Sequence, residues 1–197
     1  NMGALGKYLL HCFGSFDFQG VKKRLPNTTF SGEMQRKVGD KIVELIEVGP
    51  AHTNGDILVH VPSDKVVFTG DILFIEGHPI IWAGPVKNWI DACERIISLK
   101  VEFVVPGHGP VTDRRGVKAV RDYLFYIDVE SRMRFESGMS AIEAARDINL
   151  DLFSTWGDGE RIAVNVNSLY REYKGEEKRE EITLLFQQMA ELSGISE

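Results

Sequence analysis

Cysteine is nearly missing from this chain. Cys12 and Cys93 are its only two in 197 residues. They stand far apart, so the chain carries no disulfide framework, and no charged n-region followed by an apolar h-region opens it as an export signal would. Long apolar runs are also missing: none approaches the roughly 18 residues that a membrane-spanning helix needs. Basic charge is not in excess either. The formal net charge is -6, and the lysines and arginines are spread along the chain rather than gathered in a stripe. That argues against binding to a phosphate backbone. Neither nucleic acid nor membrane is an expected partner, and a cytoplasmic setting is expected. What the chain does have is 43% apolar and 10% aromatic residues, enough to bury a core in one large domain, or in a domain with an appendage.

The pattern along the chain puts strands first and helices after. Residues 1–32 mix glycines and aromatics without a lasting period and read as a short helix followed by a loop. "EMQRKVGDKIVELIEV" then reads as two strands around the turn signal Gly39-Asp40, and "ILVHVPSDKVVFTG" repeats the arrangement with Pro62-Ser63-Asp64 as its turn. In "VKNWIDACERIISL" the residues Trp89, Ile90, Cys93, Ile96 and Ile97 recur at three- and four-residue spacing, which predicts a helix with one buried face. "VEFVV" reads as a buried strand running up to "PGHGP". Everything beyond is helical. A long helix carrying Val117, Val120, Leu124 and Ile127 stops at Gly138. A short helix opens on Ser140 with Glu143 three residues on, as in a capping box. Two more helices are expected at about 160–173 and 176–193. The expected organisation is a partial α/β domain over 1–137 with a helical C-terminal extension over 138–197.

Chemistry-bearing residues follow three apolar strands. His52 comes after "VELIEVGPA", Asp71 after "VVFTG" and His108 after "FVVPG". Strand ends in layered α/β folds gather ligand sites, because the sheet fixes position while the loop stays open. Each residue alone reads as a turn or as a hydrogen-bonded loop residue. Together, two imidazoles and a carboxylate, each preceded by a residue that lets the backbone turn, are donors suited to zinc or another divalent metal. A cation would also account for a carboxylate delivered at the tip of a buried strand.

The stretch 49–110 resembles the metallo-β-lactamase superfamily. "GPAHTNGDILVHVP", "VVFTGDILF" and "VVPGHGP" are similar to that family's third, fourth and fifth metal motifs, and a weaker likeness extends through "ERIAVNVNSLYREY". The resemblance implies a four-layer αββα sandwich and a two-metal site, with His52 and His108 on different metals and Asp71 bridging them. It also implies a bridging water made acidic by both metals and turned on a carbonyl or phosphoryl centre. Asp71, standing where the commonest β-lactamase subclass has Cys, places the likeness nearer the glyoxalase-II-like hydrolase branch. The implied substrates are small molecules of the ester, thioester, lactone or phosphodiester class.

The family's upstream H-x-H-x-D-H motif has no counterpart here. The histidines are His11, His52, His60, His78 and His108, and no two are separated by one or three residues. Each metal would keep one imidazole and a shared carboxylate, where a catalytic zinc usually has about three protein ligands. The expectation is therefore an N-terminally truncated form of the fold, about its C-terminal two-thirds, with an incomplete metal site and little activity of its own. The alternative is a non-catalytic remnant serving as a binding or interaction module. His78 and Trp82 in "GHPIIWAGP" are candidates to line a substrate pocket, though a turn and a core cover are the plainer readings. His60, within a strand, reads as structural, and His11-Cys12 lacks a supporting third residue. A sheet missing its neighbours would keep an apolar face and a free edge. A homodimer or larger homo-oligomer is expected, with an interface that includes residues 1–32 and the strand near 33–48.

Overall fold

A computed structural model describes residues 2–194 of the chain. Asn1 of the expected 1–137 unit and residues 195–197 of the expected extension lie outside the described residues. Helix α1 (Gly3–Phe13) is followed by an extended loop and then by β1 (Glu33–Val38), β2 (Lys41–Glu47), β3 (Ile57–Val61) and β4 (Val66–Phe74). Helix α2 (Val86–Ser98) carries the chain across to β5 (Phe103–His108). Four helices complete it: α3 (Arg114–Glu136), α4 (Ala141–Asp147), α5 (Ile162–Lys174) and α6 (Ile182–Leu192).

The sheet order is β1-β2-β3-β4-β5, antiparallel in its first three pairings and parallel between β4 and β5. Both expected hairpins are present. Val38 pairs with Lys41 across Gly39-Asp40, and Val61 pairs with Val66 across a single 3-10 turn at Pro62–Asp64. The alternation of side chains sorts the sheet into two unlike faces. On one face Leu58, Val67 and Val104 are fully buried beneath α2 and α3, and the Trp89 indole of α2 donates to the Ile72 carbonyl at 2.8 Å. On the other face Met34, Leu45, Val59, Phe68 and Val105 form one row across all five strands. Nothing among the described helices buries that row. Phe68 there is 44% exposed, and Phe103 in the neighbouring row 53%. The described residues thus hold one β layer and its helical cover, half of the four-layer arrangement.

The helices join the same core. Val117, Val120, Leu124 and Ile127 of α3 are fully buried, as their spacing predicts. The capping box is formed: the Ser140 hydroxyl accepts from Glu143 N, and the Glu143 carboxylate accepts from Ser140 N at 2.9 Å. Two elements differ from expectation. Helix α6 begins at Ile182 and not near 176, because α5 ends on Gly175 at φ +66° and the run "EEKREE" has no apolar residue to bury before Ile182. Strand β5 runs on through Pro106 and Gly107 to His108, where an expected loop begins. It is an edge strand with a register shift against β4, a position where Pro, which lacks an N–H, is tolerated.

Candidate active site

Three segments deliver His52, Asp71 and His108, and each has its own local reason. The 49–56 loop is tied by the Asp56 carboxylate, which accepts from Ala51 N at 3.1 Å, Thr53 N at 2.9 Å and the Thr53 hydroxyl at 2.7 Å. That is why "HTNGD" ends in an acid: Asp56 serves as the loop's internal hydrogen-bond anchor. Asp71 sits where β4 shifts register against β5. Glycine at 107 is required by space, since a Cβ there would lie 2.3 Å from Asp71 Oδ1 and 2.7 Å from the Gly70 carbonyl oxygen. Gly109, at φ +88°, turns the chain away immediately after His108.

The three side chains converge. His52 Nε2 lies 3.5 Å from Asp71 Oδ2 and His108 Nε2 lies 3.4 Å from Oδ1, so each carboxylate oxygen faces one imidazole. His52 Nδ1 donates to the Ile80 carbonyl at 2.7 Å. That bond fixes the ring and leaves the lone pair of the neutral imidazole on Nε2, toward Asp71, as is typical of a metal-ligating histidine. Its ring also packs edge-on against Trp89, with centroids 5.8 Å apart. His108 stacks on Phe74 with centroids 4.3 Å apart and planes 9° from parallel, and its side chain stays about half exposed.

In type these donors suit a divalent metal. Among the described residues no group of three or more His, Cys, Asp or Glu side chains is arranged to hold a metal ion.

The triad opens into a cleft of about 520 Å³, whose walls include Tyr8, Phe13, Trp82, Phe186 and Met189, a volume within the range of small-molecule sites. Trp82 thus stands at the cleft. His78 does not: it is fully buried behind the wall, its Nε2 donating to the Phe153 carbonyl at 3.1 Å and its ring edge-on to Tyr123. Burial pushes its pKa down to about 4. His60 is buried within β3 and paired with Glu44 at 2.8 Å. His11 and Cys12 of α1 line the same cleft as the triad. Burial raises the Cys12 thiol pKa.

One set of residues has no counterpart in the sequence reading. The segment 78–86 has no strand partner; backbone groups hold His78 N, Ala83 N and Gly84 N, and side chains of α5 and the turn before it supply much of the rest. Arg161 donates to the His78 carbonyl at 2.8 Å. Asn165 accepts from Ile81 N at 2.8 Å and donates to the Pro79 carbonyl at 2.9 Å. The Ser168 hydroxyl donates to the Ile81 carbonyl at 2.6 Å, and Glu172 accepts from Val86 N at 3.0 Å. The held segment includes Ile80, whose carbonyl orients His52. The spacing 161, 165, 168, 172 puts these four polar residues on one helix face.

Comparison with known proteins agrees with this arrangement. The family model described as metallo-beta-lactamase superfamily matches residues 9–108, and members of that superfamily generally bind divalent metals and act on small molecules. The chain is 32% identical over 77 residues to the acyl-coenzyme A thioesterase MBLAC2 of Homo sapiens, a match covering 36% of this chain and 27% of that protein. It is 34% identical over 68 residues to a hydroxyacylglutathione hydrolase of Erythrobacter litoralis (strain HTCC2594), covering 34% of this chain and 27% of that protein. The chain thus matches about a quarter of the length of these curated relatives. Among solved structures it is similar in fold to a metallo-beta-lactamase family protein of Thermus thermophilus, with a TM-score of 0.57 at 19% identity, covering 79% of this chain and 50% of that one. It is also similar in fold to the sec-alkylsulfatase Pisa1 of Pseudomonas sp., with a TM-score of 0.59 at 15% identity, covering 77% of this chain and 27% of that one. With the match spanning half of its length and the motif residues gathered at one cleft, the chain belongs to the metallo-beta-lactamase superfamily.

Proposed function

We infer that these residues form part of a metal-dependent hydrolase centre acting on acyl thioesters or related esters, and that the donors completing it lie outside the described residues. One observation carries this reading: Asp71 presents one oxygen to His52 and the other to His108, at 3.5 and 3.4 Å. A carboxylate between two imidazoles is the arrangement expected of a ligand shared by two cations. Zinc or another divalent metal would polarise a carbonyl and make a bound water acidic. The chain's own part is positional: His52 held in one tautomer by Ile80, His108 braced on Phe74, and Asp71 given room by Gly107. The thioester class is supported by the two relatives, one named for hydrolysis of acyl-coenzyme A and the other for hydrolysis of hydroxyacylglutathione.

The test joins two observations. The 197-residue chain alone should turn over acyl thioesters, lactones, phosphodiesters and β-lactams little or not at all, since an incompletely held metal cannot fix an attacking group. The coding sequence upstream of Asn1, or a partner chain, should supply further His and Asp donors and restore thioester hydrolysis. Robust hydrolysis by the 197 residues alone, abolished in His108→Ala, would show that the site is already complete. Completing donors that give no hydrolysis would overturn the enzymatic reading.

A second reading rests on the open sheet face. The row Met34, Leu45, Val59, Phe68, Val105 is a surface that self-association would cover. This reading makes the chain a homo-oligomeric binding module that keeps the fold without the chemistry. Sedimentation showing a dimer or larger that dissociates in Phe68→Ser supports it, and a monomer at micromolar concentration contradicts it.

A further inference from the structure

The cleft beside the triad is more apolar than small polar substrates require. Phe186 of α6 is the hub of its wall: its ring centroid lies 6.2 Å from that of Trp82, 6.3 Å from Tyr8 and 6.3 Å from Phe13. Ile80 and Met189 fill the space behind. The cover is α1, which packs against α6 across the length of the chain. Tyr8 of α1 donates its hydroxyl to Glu160 at 2.9 Å and leaves Phe13 and Phe16 at the opening. Both phenylalanines also line a second hollow of about 1070 Å³ on the other side of α1, with Leu9, Leu10 and Phe18. The cleft thus reaches from the triad along residues of α6 and α1 to Phe13 and Phe16, which line both hollows. It stays partly open: Phe13 is 43% and Phe16 64% exposed.

The charges at its inner end choose among apolar ligands. Asp158, Glu160 and Arg161 border the cleft beside Asp71. Arg161 is already engaged, ion-paired to Asp158 at 3.0 Å and lying 5.3 Å from the centre of the Phe74 ring. Among the described residues lining the cleft Arg161 is the one Lys or Arg, and without bound metal the carboxylates would repel an anionic head group.

Resting on the hydrolase reading above, we propose that the channel between α1 and α6 binds the hydrocarbon chain of an acyl ester or thioester, with the neutral carbonyl at the His52–Asp71–His108 triad and the chain along Trp82, Phe186 and Phe13. The ligand class is thus a medium- or long-chain acyl group, not a short polar one. Helix α1 is a specificity element that sets how much chain is covered.

Direct binding tests this without turnover. Of the three tryptophans, Trp89 is fully buried in the core and Trp156 packs with Phe153 and His78 behind the wall, so Trp82 is the reporter. A medium-chain acyl methyl ester brominated at its terminal carbon is titrated below its aggregation limit into the metal-free chain in chelator. Saturable quenching is expected, lost in Trp82→Phe, about tenfold weaker in Phe186→Ala and severalfold weaker in Phe16→Ser. The matching carboxylate should bind more weakly than the ester. Because Phe16 is exposed, its variant tests the channel even if Phe186→Ala fails to fold. Absence of saturable quenching, quenching unaffected by both Phe186→Ala and Phe16→Ser, or equal affinity for the carboxylate overturns the assignment. A dimer that Phe16→Ser dissolves and that excludes the ester would assign the channel to a second copy instead and overturn it. Hydrolysis by the completed enzyme without ester quenching defeats this inference alone. Quenching without hydrolysis defeats the catalytic reading alone.

Discussion

Replacing Asn165 by leucine isolates the α5 side-chain stripe from everything else in the fold. The side chain is fully buried and makes three bonds: it accepts from Ile81 N at 2.8 Å, and donates to the Pro79 carbonyl at 2.9 Å and to the Tyr123 hydroxyl at 3.1 Å. Leucine is close in size, so no large cavity forms, but the Ile81 N–H, the Pro79 carbonyl and the Tyr123 hydroxyl each lose a buried partner. Each unpaired buried group costs about 1–3 kcal/mol, and the gain from burying leucine offsets part of the sum, leaving a loss of about 2–4 kcal/mol. In urea, with m of about 2 kcal/mol/M for a chain of this size, the midpoint should fall by roughly 1–2 M at unchanged m. Circular dichroism against urea reads it directly. Asn167→Leu, one turn face away and only half buried, is the control and should stay within about 0.5 kcal/mol. A midpoint shift below about 0.3 M for Asn165→Leu, or one no larger than the control, would refute the claim that α5 holds the 78–86 segment and, through Ile80, His52.

Further outcomes follow from the same contacts. His78 has a pKa near 4 when folded against about 6.5 when unfolded. The unfolded chain therefore binds a proton that the folded chain refuses, and stability falls as pH drops from about 6.5 to 4, by at most about 3 kcal/mol. Urea midpoints across that window should be flatter for His78→Gln, and equal slopes would argue against the burial cost. Gly107→Ala should displace the Asp71 carboxylate, because the new Cβ would meet Oδ1 at 2.3 Å. Zinc affinity should drop while the circular dichroism spectrum is kept, and undiminished zinc binding would contradict the fit. Ser140→Ala removes the capping-box hydroxyl from α4 and should cost about 1 kcal/mol in urea unfolding, whereas a cost near zero would mean that α4 is held by packing alone.

How far these features were legible depended on whether their cause was local. The hairpins were readable because Gly39-Asp40 and Pro62-Ser63-Asp64 are turn chemistry written into neighbouring residues, and α4 because Ser140 and Glu143 form the box between themselves. The sequence positions of His52, Asp71 and His108 stood out as polar residues after apolar runs with glycines close by, although Asp71 lies within β4 and His108 ends β5. Long-range effects were not readable. The packing of Tyr8 against α6 joins positions 181 residues apart, and nothing near Tyr8 announces it. The stripe of Arg161, Asn165, Ser168 and Glu172 looks in sequence like a solvated helix face, and becomes a set of backbone partners only once 78–86 lies along α5. His78 reads as a turn residue before Pro79, while its environment is made by Phe153 and Trp156 from far along the chain. The open sheet face was expected from the missing upstream part of the resembled fold, and side-chain parity then fixes which residues stand on it.

Zinc titration of the metal-stripped 197-residue chain, followed by calorimetry beside Asp71→Asn, tests most directly the claim that His52, Asp71 and His108 are part of a metal centre and not the whole of it. The account predicts weak binding, micromolar or poorer, that disappears in Asp71→Asn. Two tight sites per chain, or binding that Asp71→Asn leaves unchanged, would contradict it.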